Sequence, residues 1–474
     1  MSRTFPLFAA TIPLIARARG AVPIAPIAPT MLAAWLKTAP ASLKRWVRAM
    51  NFQAEAGAVL ALPESDGRIV RVLFAQAKES NPWDYAQLSA KLPPGTYRLE
   101  SEPKEDVADA AALGWALAAY NFSRYRGGKK NETPPVLVWP KAADRAGVTR
   151  TVEATFLVRD LVNTPANDLG PRELASAARA LARRHGARMT EIVGDALLKK
   201  GYPAVHMVGR AATHQRAPRL IDFVWGRTGA PKITLVGKGV CFDSGGLDLK
   251  PSANMKLMKK DMGGAAHALG LAHMAMAAKL DVRLRVLIPA VENSVSSEAM
   301  RPLDVVRTRK GLTVEIGNTD AEGRVILADA LAEAARENPA LIVDFATLTG
   351  AARVALGTDL PALFCNDDAV AEALLEASKG AADPLWRLPL WAPYGKQIEG
   401  KTADLTNAPE GAFAGAITAA LFLERFVEPS IPWIHLDLMA WNTASRPGRP
   451  EGGEAMGLRA LFGLLKDRYG PESK

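Results

Sequence analysis

A chain of 474 residues is too long for one compact core, and with 49% of them apolar it can furnish cores for two domains. Its two cysteines, Cys241 and Cys365, exclude a disulfide framework, and no stretch reaches the ~18 uninterrupted apolar residues of a membrane span. The formal net charge of +10 is uneven, since the first 150 residues carry 20 Lys and Arg against 12 Asp and Glu and the rest carry 39 against 37.

Residues 1–150 read as a smaller α/β domain. Its elements are an apolar strand within 5–15, a helix over 31–50, a strand at 68–74, a helix at 108–120 and a strand at 136–139. Arg3 and the apolar run after it can pass for a secretion signal. Pro6 and Pro13 interrupt that run, however, and Arg17 and Arg19 follow without a small-residue cleavage site, which favours a strand and a cytoplasmic protein. The clusters Lys44, Arg45, Arg48 and Arg124, Arg126, Lys129, Lys130 can contact phosphates, so DNA is an open partner. A solubilising surface is the preferred reading.

A linker helix and turn follow over 151–170, ending in Asn163-Thr-Pro. From 171 to 474 strands alternate with helices: 204–208, 219–225, 233–237, 284–291, 312–317, 341–346 and 434–437. This rhythm predicts an α/β fold with a mixed, largely parallel sheet sandwiched by helices. No internal repeat is present.

Functional groups begin where the 233–237 strand stops. Lys238, Asp243, Gly245, Gly246 and Lys250 lie in its outgoing segment, and in open α/β sheets sites form outside the carboxyl ends of strands. Asp261 precedes an Ala/Leu/Met-rich run to 278, which predicts a buried helix with Asp261 as its cap. In the run Asn318-Thr-Asp-Ala-Glu-Gly-Arg324, Asp320 and Glu322 are two apart. On the extended end of a strand they share a face and can share a cation, with Arg324 as a further source of positive charge. The same run also reads as a surface ion pair at a helix N-terminus. Four acidic and three cationic groups at strand edges are too many for a dry crevice unless metal ions balance them. Hard oxygen donors favour Zn²⁺, Mn²⁺ or Mg²⁺, and two ions sharing carboxylates is the economical arrangement. Cys241 reads as a core residue, and His267, His273 and His435 read as packing or hydrogen-bonding residues.

The segments from Val236 through Asp243 and Lys250 to Met255, Asp261 to Ala266, and Asn318 to Arg324 closely resemble the leucine aminopeptidase family of two-metal exopeptidases. Arg159 to Asp168, Asp344 to Ala351 and Ala414 to Ala420 extend the resemblance over about the last two thirds of the chain. It implies that Lys238, Asp243, Asp261 and Glu322 hold the tighter metal and Asp243, Asp320 and Glu322 the more exchangeable one. It makes Lys250 the catalytic lysine, an ammonium that polarises the scissile carbonyl, and Arg324 the holder of a bicarbonate proton shuttle. Met258, Thr347, Leu348 and Gly350 would line the pocket for the first residue, suiting an apolar one such as leucine. The implied protein is a homohexameric aminopeptidase acting on peptides with a free N-terminus through a water bridging two metal ions, with an N-terminal domain for assembly or regulation. Some relatives in that family also bind DNA through a basic surface. The alternatives are a DNA-binding role with a secondary metal site, against which the complete ligand set argues, and a specialised dipeptidase such as a cysteinylglycine hydrolase. Two stretches depart from the family pattern. The lysines of Met255-Lys-Leu-Met-Lys-Lys260 can either shift preference toward acidic or polar first residues or form a solvated face, and the solvated face is the preferred reading; residues 442–456 carry no residue over.

Overall fold

The computed structural model describes residues 12–77, 81–126 and 133–470. The chain divides into two compact units, and the division falls inside the helix Arg145–Asn163. Among the described residues one unit is 12–153 with Ala444–Glu451, and the other is Ala154–Thr443 with 452–470.

The first unit is built on a six-stranded sheet ordered Leu14–Ile15, Val136–Val138, Thr96–Leu99, Val22–Pro26, Ile69–Phe74 and Val59–Pro63. All neighbours are parallel except the last pair. The helix expected over 31–50 is two helices, Pro29–Thr38 and Ala41–Ala49. Pro40 stands between them, and a proline there leaves no amide to continue the first ladder. The strand expected within 5–15 is described only from residue 12, where Leu14–Ile15 is extended; Lys129 and Lys130 also lie outside the described residues.

The second unit is organised around a nine-stranded sheet. Its order is Trp386–Arg387, Ala362–Cys365, Trp433–Asp437, Leu341–Ala346, Lys232–Gly237, Arg283–Asn293, Arg219–Trp225 and Arg188–Val193, with Gly239–Asp243 pairing Arg283–Asn293 off that path. The four central strands, Trp433–Asp437 to Arg283–Asn293, run parallel. Their carboxyl ends, at Asp437, Ala346, Gly237 and Asn293, therefore open on one edge.

Alternation along these strands sorts side chains onto two faces. Ile233, Leu235, Val343 and Phe345 join a core with the helices Pro171–His185, Gly263–Ala277 and Leu458–Tyr469. Val236, Ile342 and Trp433 join another with the helices Pro203–Gly209, Glu322–Ala335 and Gly415–Glu424. The sheet is thus covered on both sides by helices, as the alternating sequence pattern requires.

Two expected strands differ. Residues 204–208 form the helix Pro203–Gly209, because Pro203 suits a first helical turn and the Asp329 carboxylate accepts the free amides of Ala204 and Val205. A short apolar run does not by itself distinguish strand from buried helix. The strand expected at 312–317 is Thr313–Glu315, and it belongs to a separate three-stranded sheet with Val305–Arg307 and Leu405–Thr406. No helix among the described residues is long and apolar enough to cross a membrane.

Candidate metal centre

The seven charged groups of the expected metal site, Lys238, Asp243, Lys250, Asp261, Asp320, Glu322 and Arg324, gather at the carboxyl edge of the parallel strands. Lys238 follows the strand Lys232–Gly237 and Asp243 ends Gly239–Asp243. The next loop turns through Gly245 and Gly246, at φ of 89° and 68°, a left-handed backbone that glycine adopts without a side-chain penalty. Thr319 ties this loop to the acidic run: its hydroxyl donates to Gly245 O at 2.6 Å and accepts from Asp248 N at 2.8 Å, while its own amide donates to the Asp248 carboxylate at 2.7 Å. Lys250 thereby reaches back to Asp243 at 2.9 Å and to Asp320.

The route by which Asp320 and Glu322 meet is not the one expected. They do not share a strand face, because the strand ends at Glu315, Asp320 lies in a turn, and Glu322 is the first residue of the helix Glu322–Ala335. Asn407 shapes the turn, accepting from the amides of Gly317 and Asn318 and donating to the carbonyls of Asn318 and Ala321. Oxygens of Asp243, Asp320 and Glu322 then lie within 4.8 Å of one another.

Asp261 is not a helix cap. It sits in the 3₁₀ turn Met258–Met262, and the helix Gly263–Ala277 starts after Met262. Its carboxylate accepts from the Thr347 hydroxyl at 2.7 Å and meets Lys238 Nζ at 2.8 Å. Lys238 also lies 3.0 Å from Glu322 and donates to Thr347 O at 3.0 Å. Two close approaches make room for this lysine. A Cβ on Gly264 would meet Phe345 O at 2.1 Å and Lys238 N at 2.8 Å, and one on Gly323 would meet Lys238 Cε at 2.4 Å. The Asp437 carboxylate, at the end of its strand, accepts from the amides of Leu348 and Thr349 and from the Thr349 hydroxyl, which anchors the loop carrying Thr347.

Lysines, and not Arg324, supply the charges between the acidic groups. The Arg324 guanidinium is buried, donates to Asn407 O at 2.7 Å, and leaves Nε without a partner. Burial lowers its pKa to about 10. Four carboxylates face two ammonium groups, an excess of negative charge in a site that excludes most solvent. Burial and the neighbouring Asp243 push Asp320 up to about 6 and raise Glu322 well above the usual carboxylate range. For Lys238, burial pulls downward, but Asp261, Glu322 and Asp243 outweigh it and raise the group. Both Glu322 oxygens, Asp261 Oδ2 and Asp320 Oδ1 are buried yet accept no hydrogen bond of good geometry. Unsatisfied hard oxygens converging with excess negative charge fit divalent cations.

These groups line a cavity of about 370 Å³, with Glu322 directly behind Lys238. Met258, Thr347, Leu348 and Gly350, assigned to the first-residue pocket by resemblance, line it too. One assignment changes: the lysines of 255–260 are not a solvated face. Lys256 is exposed, but Lys259 donates to Asn163 O at 2.7 Å and Lys260 is buried against the cavity. Burial lowers Lys260 to about 8. Asp248, Asn293, Thr319, Asn407 and Asp437 position the site, Asn293 by donating to the Asp243 carboxylate at 2.9 Å, and were missed, because single polar residues in loops and at strand ends carry no periodic or spacing signal. Cys241 is a buried core residue, and the histidines are structural: His267 accepts from Met456 N, His273 pairs with His185, and His435 pairs with Asp344 at 2.6 Å.

Residues 156–462 match the family model described as the cytosol aminopeptidase family, catalytic domain, and residues 22–138 match that of the M17 aminopeptidase N-terminal domain. A probable cytosol aminopeptidase of Syntrophotalea carbinolica is 42% identical over 381 residues, 77% of this chain and 76% of its own length. One of Bradyrhizobium is 38% identical over 454 residues, 90% of each chain. The crystal structure of the cytosol aminopeptidase from Coxiella burnetii superposes with a TM-score of 0.92 at 51% identity, covering 96% of this chain and 99% of that one. A bottromycin maturation enzyme in complex with Mn gives a TM-score of 0.84 at 34% identity, covering 95% and 99%.

Proposed function

The chain belongs to the cytosol aminopeptidase family and is a metal-dependent aminopeptidase, and from that premise we propose that it releases apolar first residues such as leucine from peptides at the cavity around Asp243, Asp320 and Glu322. The observation that carries this reading is the convergence of the Asp243, Asp320 and Glu322 carboxylates, whose positive partners among the described residues are only Lys238 and Lys250. Lys238, Asp243, Asp261 and Glu322 would hold one divalent ion, and Asp243, Asp320 and Glu322 a second, with Zn²⁺ and Mn²⁺ as the candidates. Such ions supply Lewis acidity and activate water at neutral pH.

The chain's own groups do the rest. Lys250 is a cation at the cavity wall, and its ammonium would donate to the carbonyl oxygen of the scissile bond and hold the negative charge that develops there. Arg324, with Nε unpartnered at the cavity, is placed to hold a small anion such as bicarbonate for proton transfer. The acidic floor favours a free α-amino group, which an internal peptide bond lacks, and this selects exopeptidase action. Met258, Leu348 and the backbone at Gly350 offer the first side chain an apolar wall. The division into an assembly or regulatory unit before residue 150, a linker to 170 and a catalytic domain from 171, a hexameric assembly and a cytoplasmic location belong to the same proposal.

The test is release of p-nitroaniline from leucine p-nitroanilide before and after chelation, with Mn²⁺ or Zn²⁺ added back. Activity lost to the chelator and restored by metal is expected. Activity indifferent to the chelator would overturn the assignment of the site.

A further inference from the structure

Three lysines line the cavity, and two are answered by carboxylates. Lys238 lies between Asp261 and Glu322, and Lys250 between Asp243 and Asp320. Lys260 is only 5% exposed, and its ammonium makes no hydrogen bond or ion pair among the described residues. The acidic groups that act on it, Asp261 and Asp437, are engaged elsewhere, Asp261 by Lys238 and Thr347 and Asp437 by Leu348 and Thr349. Arg353 lines the same cavity from the helix Gly350–Leu356, carries no ion pair among the described residues, and brings its guanidinium to 3.8 Å from where a Cβ on Gly350 would stand.

Burying an ammonium without a counter-charge is costly. Divalent ions at the neighbouring carboxylates would add positive charge and leave Lys260 unanswered, whereas a carboxylate entering the cavity would supply its counter-charge. Lys260 is two residues from Met258, and Arg353 three from Gly350, which places both cations beside the wall assigned to the first side chain. We propose that Lys260, assisted by Arg353, is a specificity-determining residue that pairs with a side-chain carboxylate, so that the enzyme also releases N-terminal glutamate and aspartate. This rests on the aminopeptidase reading of the cavity.

The test compares kcat/KM of the Mn²⁺-loaded enzyme for the p-nitroanilides of glutamate and leucine in the native protein, Lys260→Met and Lys260→Arg. Native enzyme should cleave both. In Lys260→Met the glutamate-to-leucine ratio should fall about tenfold or more, mainly through KM for glutamate, and Lys260→Arg should recover most of it. Where Lys260→Met fails to fold, Arg353→Ala at the exposed rim should lower the same ratio. Cleavage of leucine but not glutamate by the native enzyme, or an unchanged ratio in the variants, would overturn the proposal. So would a loss confined to Leu-Gly relative to Leu-Gly-amide, which would put the recognised carboxylate at the other end of the peptide. No cleavage of either substrate would instead overturn the aminopeptidase reading and this inference with it.

Discussion

Lys250 and Glu322 carry different burdens, and their variants separate them. Lys250→Ala removes a fixed cation at the reacting centre but none of the carboxylates, so kcat should fall by about 10²–10³-fold, the cost of one oxyanion donor, with bound metal retained. Glu322→Ala removes a group common to both ion positions; metal content measured by atomic absorption should drop together with turnover. Near-native activity in either variant would refute the assigned roles. Gly323 offers a third probe, because a methyl group there would stand 2.4 Å from Lys238 Cε. Gly323→Ala should weaken Mn²⁺ binding by displacing the lysine, although it alters no ligand; unchanged affinity would remove Lys238 from the ligand set. All of these residues were legible in the sequence because charge clustered beside glycine is rare in a buried strand end. Thr319 and Asn407 were not legible, since their importance lies in partners 71 and 89 residues away, Asp248 and Asn318 respectively.

The helix Gly263–Ala277 is apolar on every side and fully buried through Met276. It contains one titratable contact with a clear pH signature. His267 donates to Gly263 O through Nδ1 and accepts from Met456 N through Nε2, so the ring serves as a neutral bridge. Burial pulls its pKa down from 6.5 to about 4. The folded state therefore binds fewer protons than the unfolded chain between these values, and the stability this group contributes above pH 6.5 is lost as the pH falls toward 4. Urea midpoints should decline over that window, and His267→Gln, which retains a donor and an acceptor, should decline less steeply. Equal slopes would rule out His267 as the source. The helix itself was readable from its unbroken apolar run, and Asp261 was named as a metal ligand through the resemblance, but that it does not also cap the helix was not readable. A cap depends on local backbone geometry, whereas Asp261 is drawn toward Thr347 and Lys238 by the sheet beneath it.

At the scale of the molecule, carboxylates held together without enough positive charge are a strain that metal relieves only in the folded state. Mn²⁺ should raise the thermal transition in a concentration-dependent way, by about 2.7 kcal/mol at a hundredfold excess over Kd, and EDTA should reverse it. A transition that ignores metal in native protein, or responds equally in Glu322→Ala, would argue against binding at this centre.

Strand and helix rhythm determined the α/β class and the sandwiched parallel sheet, because burial on both faces forces long apolar strands and the crossovers between them. The charged site residues could be singled out by their chemistry, whereas Met258, Thr347, Leu348 and Gly350 were reached only through the family resemblance. Tertiary structure decided what local pattern cannot carry. It made 204–208 a helix by supplying Asp329 as the acceptor for its free amides, and it set Lys238 and Lys250 in place of Arg324 between the carboxylates. It also turned Lys260 from an expected solvent-facing charge into a buried one. For the helix at 204–208 and for Lys238 the deciding partner is remote in sequence, and the energy of a buried charge or an unpaired amide depends on its tertiary surroundings far more than on its neighbours along the chain.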